Sequence, residues 1–64
     1  MLANWEVHFR DTRDPKSSGK TLVVVAQDIA NAISNSLDSV DLADGWEFFM
    51  IDSARMLNEI SEGD

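Results

Sequence analysis

The chain has no cysteine and no tyrosine, a single proline, three glycines and one histidine. Without thiols, neither a disulfide nor a thiolate zinc site can reinforce the fold. At 64 residues it buries only about 60% of the surface its unfolded form exposes, so packing has to hold a single domain over residues 1–64. The longest wholly apolar run is Leu22 to Ala26, far too short to cross a bilayer. Met1-Leu2-Ala3-Asn4 carries neither the basic nor the apolar region of a secretory leader. These features lead us to expect a soluble, cytoplasmic protein with no membrane contact.

Basic residues are also scarce: five Lys and Arg stand against twelve Asp and Glu, a net charge of −7. Four of the five (Arg10, Arg13, Lys16 and Lys20) fall between positions 10 and 20, and from Thr21 onward nine carboxylates face Arg55 alone, a net of −8. Such a field repels nucleic-acid phosphates and attracts basic protein surfaces. A partner with a basic surface is expected, and direct nucleic-acid binding is not.

What the chain does contain is a core. Hydrophobic residues make up 44% of it, and Trp5, Phe9, Trp46, Phe48 and Phe49 argue against disorder. NWEVHFR (4–10) alternates strictly, with Trp5, Val7 and Phe9 on one side and Glu6, His8 and Arg10 on the other, the pattern of a half-buried strand. DTRDPKSSG (11–19) has the proline, glycine and serines of a hairpin loop. KTLVVVA (20–26) is a second strand, apolar on both faces, which predicts cover on each. Asp28 caps a helix starting at Ile29, whose stripe Ile29, Ala32, Ile33, Ser36 and Leu37 faces the sheet. Asp38 to Gly45 reads as a connection, Trp46 to Asp52 as a third strand, and SARMLNEISE (53–62) as a short helix with Met56, Leu57 and Ile60 on one stripe, a cover for the second sheet face.

The fold expected is α+β in the order β-β-α-β-α, with a three-stranded, mainly antiparallel sheet of order 2-1-3. Order 1-2-3 is the alternative. In the 2-1-3 sheet Trp5 and Trp46, which begin their strands, are expected side by side, and Leu22 to Val25 lies on an exposed edge.

SSGKT (17–21) shares its last letters with the phosphate-binding loop G-x-x-x-x-G-K-[ST]. That loop needs a glycine five positions before Gly19 and a helix after the lysine. Asp14 stands in the first place and a strand follows in the second, so no nucleotide is expected. His8 lacks the second ring or thiolate that a metal site or triad requires. Asp38, Asp41 and Asp44 lack the order of a calcium loop. No cofactor, metal or catalytic residue is expected, and the protein is read as no enzyme. The candidate partner-binding residues are Asp38, Asp41, Asp44, Trp46 and Glu47, acidic groups around an aromatic anchor, together with the cations Arg13, Lys16 and Lys20 of the hairpin loop.

From Leu22 to Ile51 the chain runs as a strand ending in Ala26, a cap at Asp28, a helix with Ala32 near its start, then Gly45-Trp46-Glu47 and a strand. This layout resembles that of small phage-encoded inhibitor proteins, among them the T7 phage inhibitor of bacterial RNA polymerase and some anti-CRISPR proteins. The resemblance covers about half the chain. It implies a non-enzymatic protein that blocks a larger host machine handling nucleic acid, such as an RNA polymerase or CRISPR effector, in the host cytoplasm. The helix expected from Ser53 departs from the T7 protein's plan. The alternative is a small structural or self-assembling protein, a homodimer formed through the Leu22–Val25 edge or the C-terminal helix.

Overall fold

A computed structural model describes residues 1–41 and 45–60. Its elements are β1 (Ala3–Asp11), β2 (Lys20–Ala26), α1 (Ile29–Asp41) and β3 (Phe49–Glu59). The sheet has the order β2-β1-β3, with β1 antiparallel to both neighbours. The α+β class and the 2-1-3 order are as the strand pattern predicts, and the 1-2-3 alternative is not adopted.

The C-terminal helix is not formed. Residues 53–59 instead continue β3, which starts at Phe49 rather than Trp46 and runs eleven residues. The reason is geometric. β1 offers its whole second edge for pairing, and a partner strand that satisfies those backbone groups outweighs the modest helix propensity of SARMLNE. The register shifts twice, between His8 and Phe9 and between Asn4 and Trp5, so Asp52 and Leu57 have no partner on β1 and form bulges.

Residues opposite one another in the ladders share a face. Trp5, Val7 and Phe9 therefore stand beside Val24, Leu22 and Lys20 on one flank and Met56, Ala54 and Ile51 on the other. α1 covers this face, lying mainly over β2. Among the described residues, the buried ones are Ala3, Val7, Phe9, Ala26, Ala32 and Ser36. Small residues at positions 32 and 36 let the helix approach closely, and Ser36 Oγ donates to Ile33 O at 2.8 Å, which satisfies the one polar side chain in the core. Asp28 caps α1 as expected: its Oδ1 accepts from Asn31 N at 2.8 Å and its backbone carbonyl from Ala32 N at 3.0 Å. The helix is a turn longer than its apolar stripe predicts, so Asp38 and Asp41 belong to its last turn rather than to a connection.

Among the described residues, the opposite face carries no helix, and it is polar where it is most central. Along β1, Asn4 Nδ2 donates to Asn58 Oδ1, Arg55 Nε to Glu6 Oε1 at 3.0 Å, and His8 Nδ1 meets Thr21 Oγ1 at 2.9 Å. Each is a directly opposed cross-strand pair. Val23 and Val25 of β2, 60% and 47% exposed, stay uncovered at the rim of this face, contrary to the two-sided cover that the second strand predicts.

Candidate interaction surface

The loop from β1 to β2 is built by local hydrogen bonds that its sequence specifies. Asp11 Oδ1 accepts from Arg13 N at 2.9 Å and Asp14 Oδ1 from Lys16 N at 3.1 Å, each carboxylate closing a turn two residues on. Ser17 N donates to Asp14 O at 3.0 Å, which makes Asp14-Pro15-Lys16-Ser17 a β-turn with proline at its second position, where its fixed φ fits. Gly19 N donates to Ser17 Oγ at 3.2 Å. SSGKT is thus the return arm of a hairpin, with β2 following directly.

This loop docks onto the segment that leads into β3. Thr12 donates to Phe48 O twice, from its backbone N at 2.9 Å and its Oγ1 at 2.7 Å. The Arg13 guanidinium lies 4.1 Å from the Phe48 ring centroid, and Lys20 Nζ lies 4.7 Å from Trp46 and 5.1 Å from Phe49. Such contacts contribute about 0.5–1 kcal/mol each at exposed sites. Trp46 in turn meets Phe9 edge-on at 5.4 Å and Phe49 at 5.2 Å, tying the cluster to the buried end of β1.

Of the predicted partner-binding set, the structure brings Lys20 onto Trp46 and Arg13 onto the neighbouring Phe48. α1 follows β2 and packs mainly on it; Asp38, exposed, lies in its last turn, where the backbone of Asp41 ends the helix. Asp44 lies outside the described residues. Glu47 is exposed, Trp46 half-buried, and Lys16 exposed on the turn. Two of the three loop cations, Arg13 and Lys20, already cover aromatic rings, and Arg13 Nε also lies 3.6 Å from Asp11 Oδ1. Trp5 and Trp46 are not neighbours. Antiparallel pairing sends the starts of β1 and β3 to opposite ends, so Trp5 lies opposite Met56 and donates its Nε1 to Ala26 O at 3.1 Å. Sequence reasoning missed Phe48 and Thr12 as the seat of the loop. Phe48 next to Phe49 was the available signal, since two adjacent aromatic rings cannot both enter a one-sided core.

Electrostatically, the described carboxylates outnumber the cations that meet them. The ion pairs among the described residues are Arg13–Asp11 and Arg55–Glu6, both on the surface. The last turn of α1 holds no basic residue, so Asp38 adds to the partial negative charge of the helix terminus. Among the described residues, no group of three or more His, Asp or Glu side chains is placed to hold a metal ion, and no helix is long and apolar enough to cross a membrane. Comparison with models of protein families, with curated proteins and with solved structures finds no match to this chain.

Proposed function

We propose that the protein is a non-enzymatic binding module whose acidic surface occupies a basic site on a larger protein, of the kind that handles nucleic acid. The observation that supports this reading is Asp38, an exposed carboxylate in the last turn of α1, on a chain whose net charge is −7. Each carboxylate in the last turn of a helix costs about 0.3–1 kcal/mol against the dipole, a considerable charge on a domain of this size. Exposed Glu47 adjoins the half-buried aromatic Trp46 in the chain, and carboxylates beside an aromatic group suit a cationic surface, speeding encounter and fixing orientation. The order of elements from Leu22 to Ile51, similar to that of small phage-encoded inhibitors, supports the same class and points to a host cytoplasmic target such as an RNA polymerase or CRISPR effector.

The test is the triple variant Asp38→Lys, Asp41→Lys and Glu47→Lys. Because lysine favours a helix C-terminus, these changes are expected to raise thermal stability while abolishing binding. Affinity capture from a bacterial lysate, with the recovered proteins identified by mass spectrometry, is expected to yield nucleic-acid-binding proteins with the wild-type chain, fewer as salt rises, and none with the variant. Equal recovery by both chains would sink the proposal.

A further inference from the structure

β1 is enclosed by two neighbours, but β2 and β3 are edges, and the two are built differently. β3 has a bulge at Asp52 and another at Leu57, and Arg55 and Glu59 along its length, all devices that hinder pairing with another chain. From Thr21 to Ala26, β2 has none of these: its register with β1 is unbroken and the stretch TLVVVA contains no charge, proline or glycine.

The direction of its free groups follows from hydrogen bonds at the two ends of β1. Ile60 N donates to Leu2 O and Thr12 N to Phe48 O, so the even positions on the β1 strand face β3. Alternation turns Ala3, Trp5, Val7 and Phe9 toward β2, where they meet Ala26, Val24, Leu22 and Lys20. The backbone groups of Thr21, Val23 and Val25 therefore point outward. Asn35 Nδ2 reaches Val25 O at 3.3 Å from the helix side, consistent with an outward carbonyl that retains its second lone pair.

We infer that this edge pairs antiparallel with the same edge of a second copy, about a two-fold axis at Val23, joining two three-stranded sheets into one. Three observations select a second copy as the occupant. The outward groups repeat symmetrically about Val23, so Val23 bonds its counterpart and each Thr21 bonds the other copy's Val25. The side chains of these residues share the uncovered face, and pairing brings Val23 against Val23 and Val25 against Thr21, removing from water the apolar rim that the monomer leaves exposed. Charge permits the pairing as well. Two chains of −7 repel wherever carboxylates meet, but in this register the uncharged stretch Thr21 to Val25 pairs with itself and Lys20 lies opposite Ala26, so no two carboxylates are directly opposed. The flank of α1 turned toward this edge carries Asn31, Asn35 and Ser39, one helical row of short uncharged side chains that leaves room for the second helix.

A ladder this short belongs with interfaces under about 1,200 Å², which are transient, so the dimer is expected to form reversibly in the micromolar range. Sedimentation equilibrium of the full chain from about 1 μM to 1 mM, spanning such affinities, is expected to show monomer passing to dimer. Val23→Lys and Val23→Glu each place like charges at the axis and should weaken association at least tenfold. An equal mixture of the two variants should restore it, because position 23 faces itself. Circular dichroism checks that both variants keep the fold. Should either fail to fold, amide exchange in the wild-type chain supplies the readout: the Thr21 and Val23 amides, free in the monomer, should slow as concentration rises. A wild-type chain monomeric throughout would overturn the inference and leave the edge to a strand of some other protein. So would a dimer indifferent to both substitutions, or amides whose exchange ignores concentration.

Discussion

Gly19 and Gly45 both adopt left-handed backbone, with φ of 75° and 85°, yet they are not equivalent. A Cβ on Gly19 would collide with Phe9 O and lie 3.1 Å from His8 Nε2, whereas at Gly45 nothing among the described residues lies within 4 Å. Both positions carry the steric cost of a side chain at positive φ, about 1–2 kcal/mol, but only Gly19 also abuts the first ladder pair of the hairpin, Phe9 with Lys20. Gly45→Ala is therefore expected to cost about 1 kcal/mol, and Gly19→Ala about 3 kcal/mol or more as the hairpin closure is forced apart. Urea unfolding of the two variants checks the difference, and equal losses would show that close approach to Phe9 plays no part. The requirement for glycine at position 19 was legible as a turn signal. The carbonyl that enforces it was not, since it comes from the far side of the hairpin.

Among the elements, α1 shows how little of a helix's stability resides in its own sequence. Asparagine and serine are weak helix formers, and what holds the helix is its buried row and its cap. Asp28→Ala removes the acceptor for Asn31 N and is expected to destabilise the domain by about 1 kcal/mol, lowering the melting temperature by about 4–8 °C for a domain of this size; calorimetry gives the value. The cap was readable because it is local, as were β1 with its strict alternation, β2 with its β-branched run, and the hairpin between them. β3 was only half readable. Its last residues put Met56, Leu57 and Ile60 at helical spacing, whereas in the structure Leu57 falls in a bulge beside Met56, and that spacing disguises a strand as a helix. Ala54, Arg55, Met56 and Leu57 are good helix formers as well, so propensity and period erred together, and the open edge of β1 decided the outcome.

The whole molecule is a one-sided sheet with a strong charge imbalance. Its second face needs no cover because the Asn4–Asn58, Glu6–Arg55 and His8–Thr21 pairs make its centre polar, and its apolar residues on β2 stand at the rim. A net charge of −7 on so small a body works against compactness through self-repulsion, and salt screens that repulsion with a Debye length that shortens from about 30 Å at 0.01 M to about 8 Å at 0.15 M. Thermal stability is accordingly expected to rise over this range, by a few degrees at most, while capture of a basic partner falls. A melting temperature that dropped with salt would mean that the two surface ion pairs outweigh the repulsion.

The sequence by itself determined the charge, the first hairpin with its turn chemistry, the strand that follows SSGKT and the capped helix, since each of these depends on neighbours within a few positions. Only the tertiary structure decided the length and bulges of β3, the distance between the two tryptophans, the seating of Arg13 and Lys20 on Phe48, Trp46 and Phe49, and which of the two edges stays open. Those outcomes depend on pairing and packing between segments tens of residues apart, where the backbone groups of β1 require a partner along their whole length and local preference yields to that requirement.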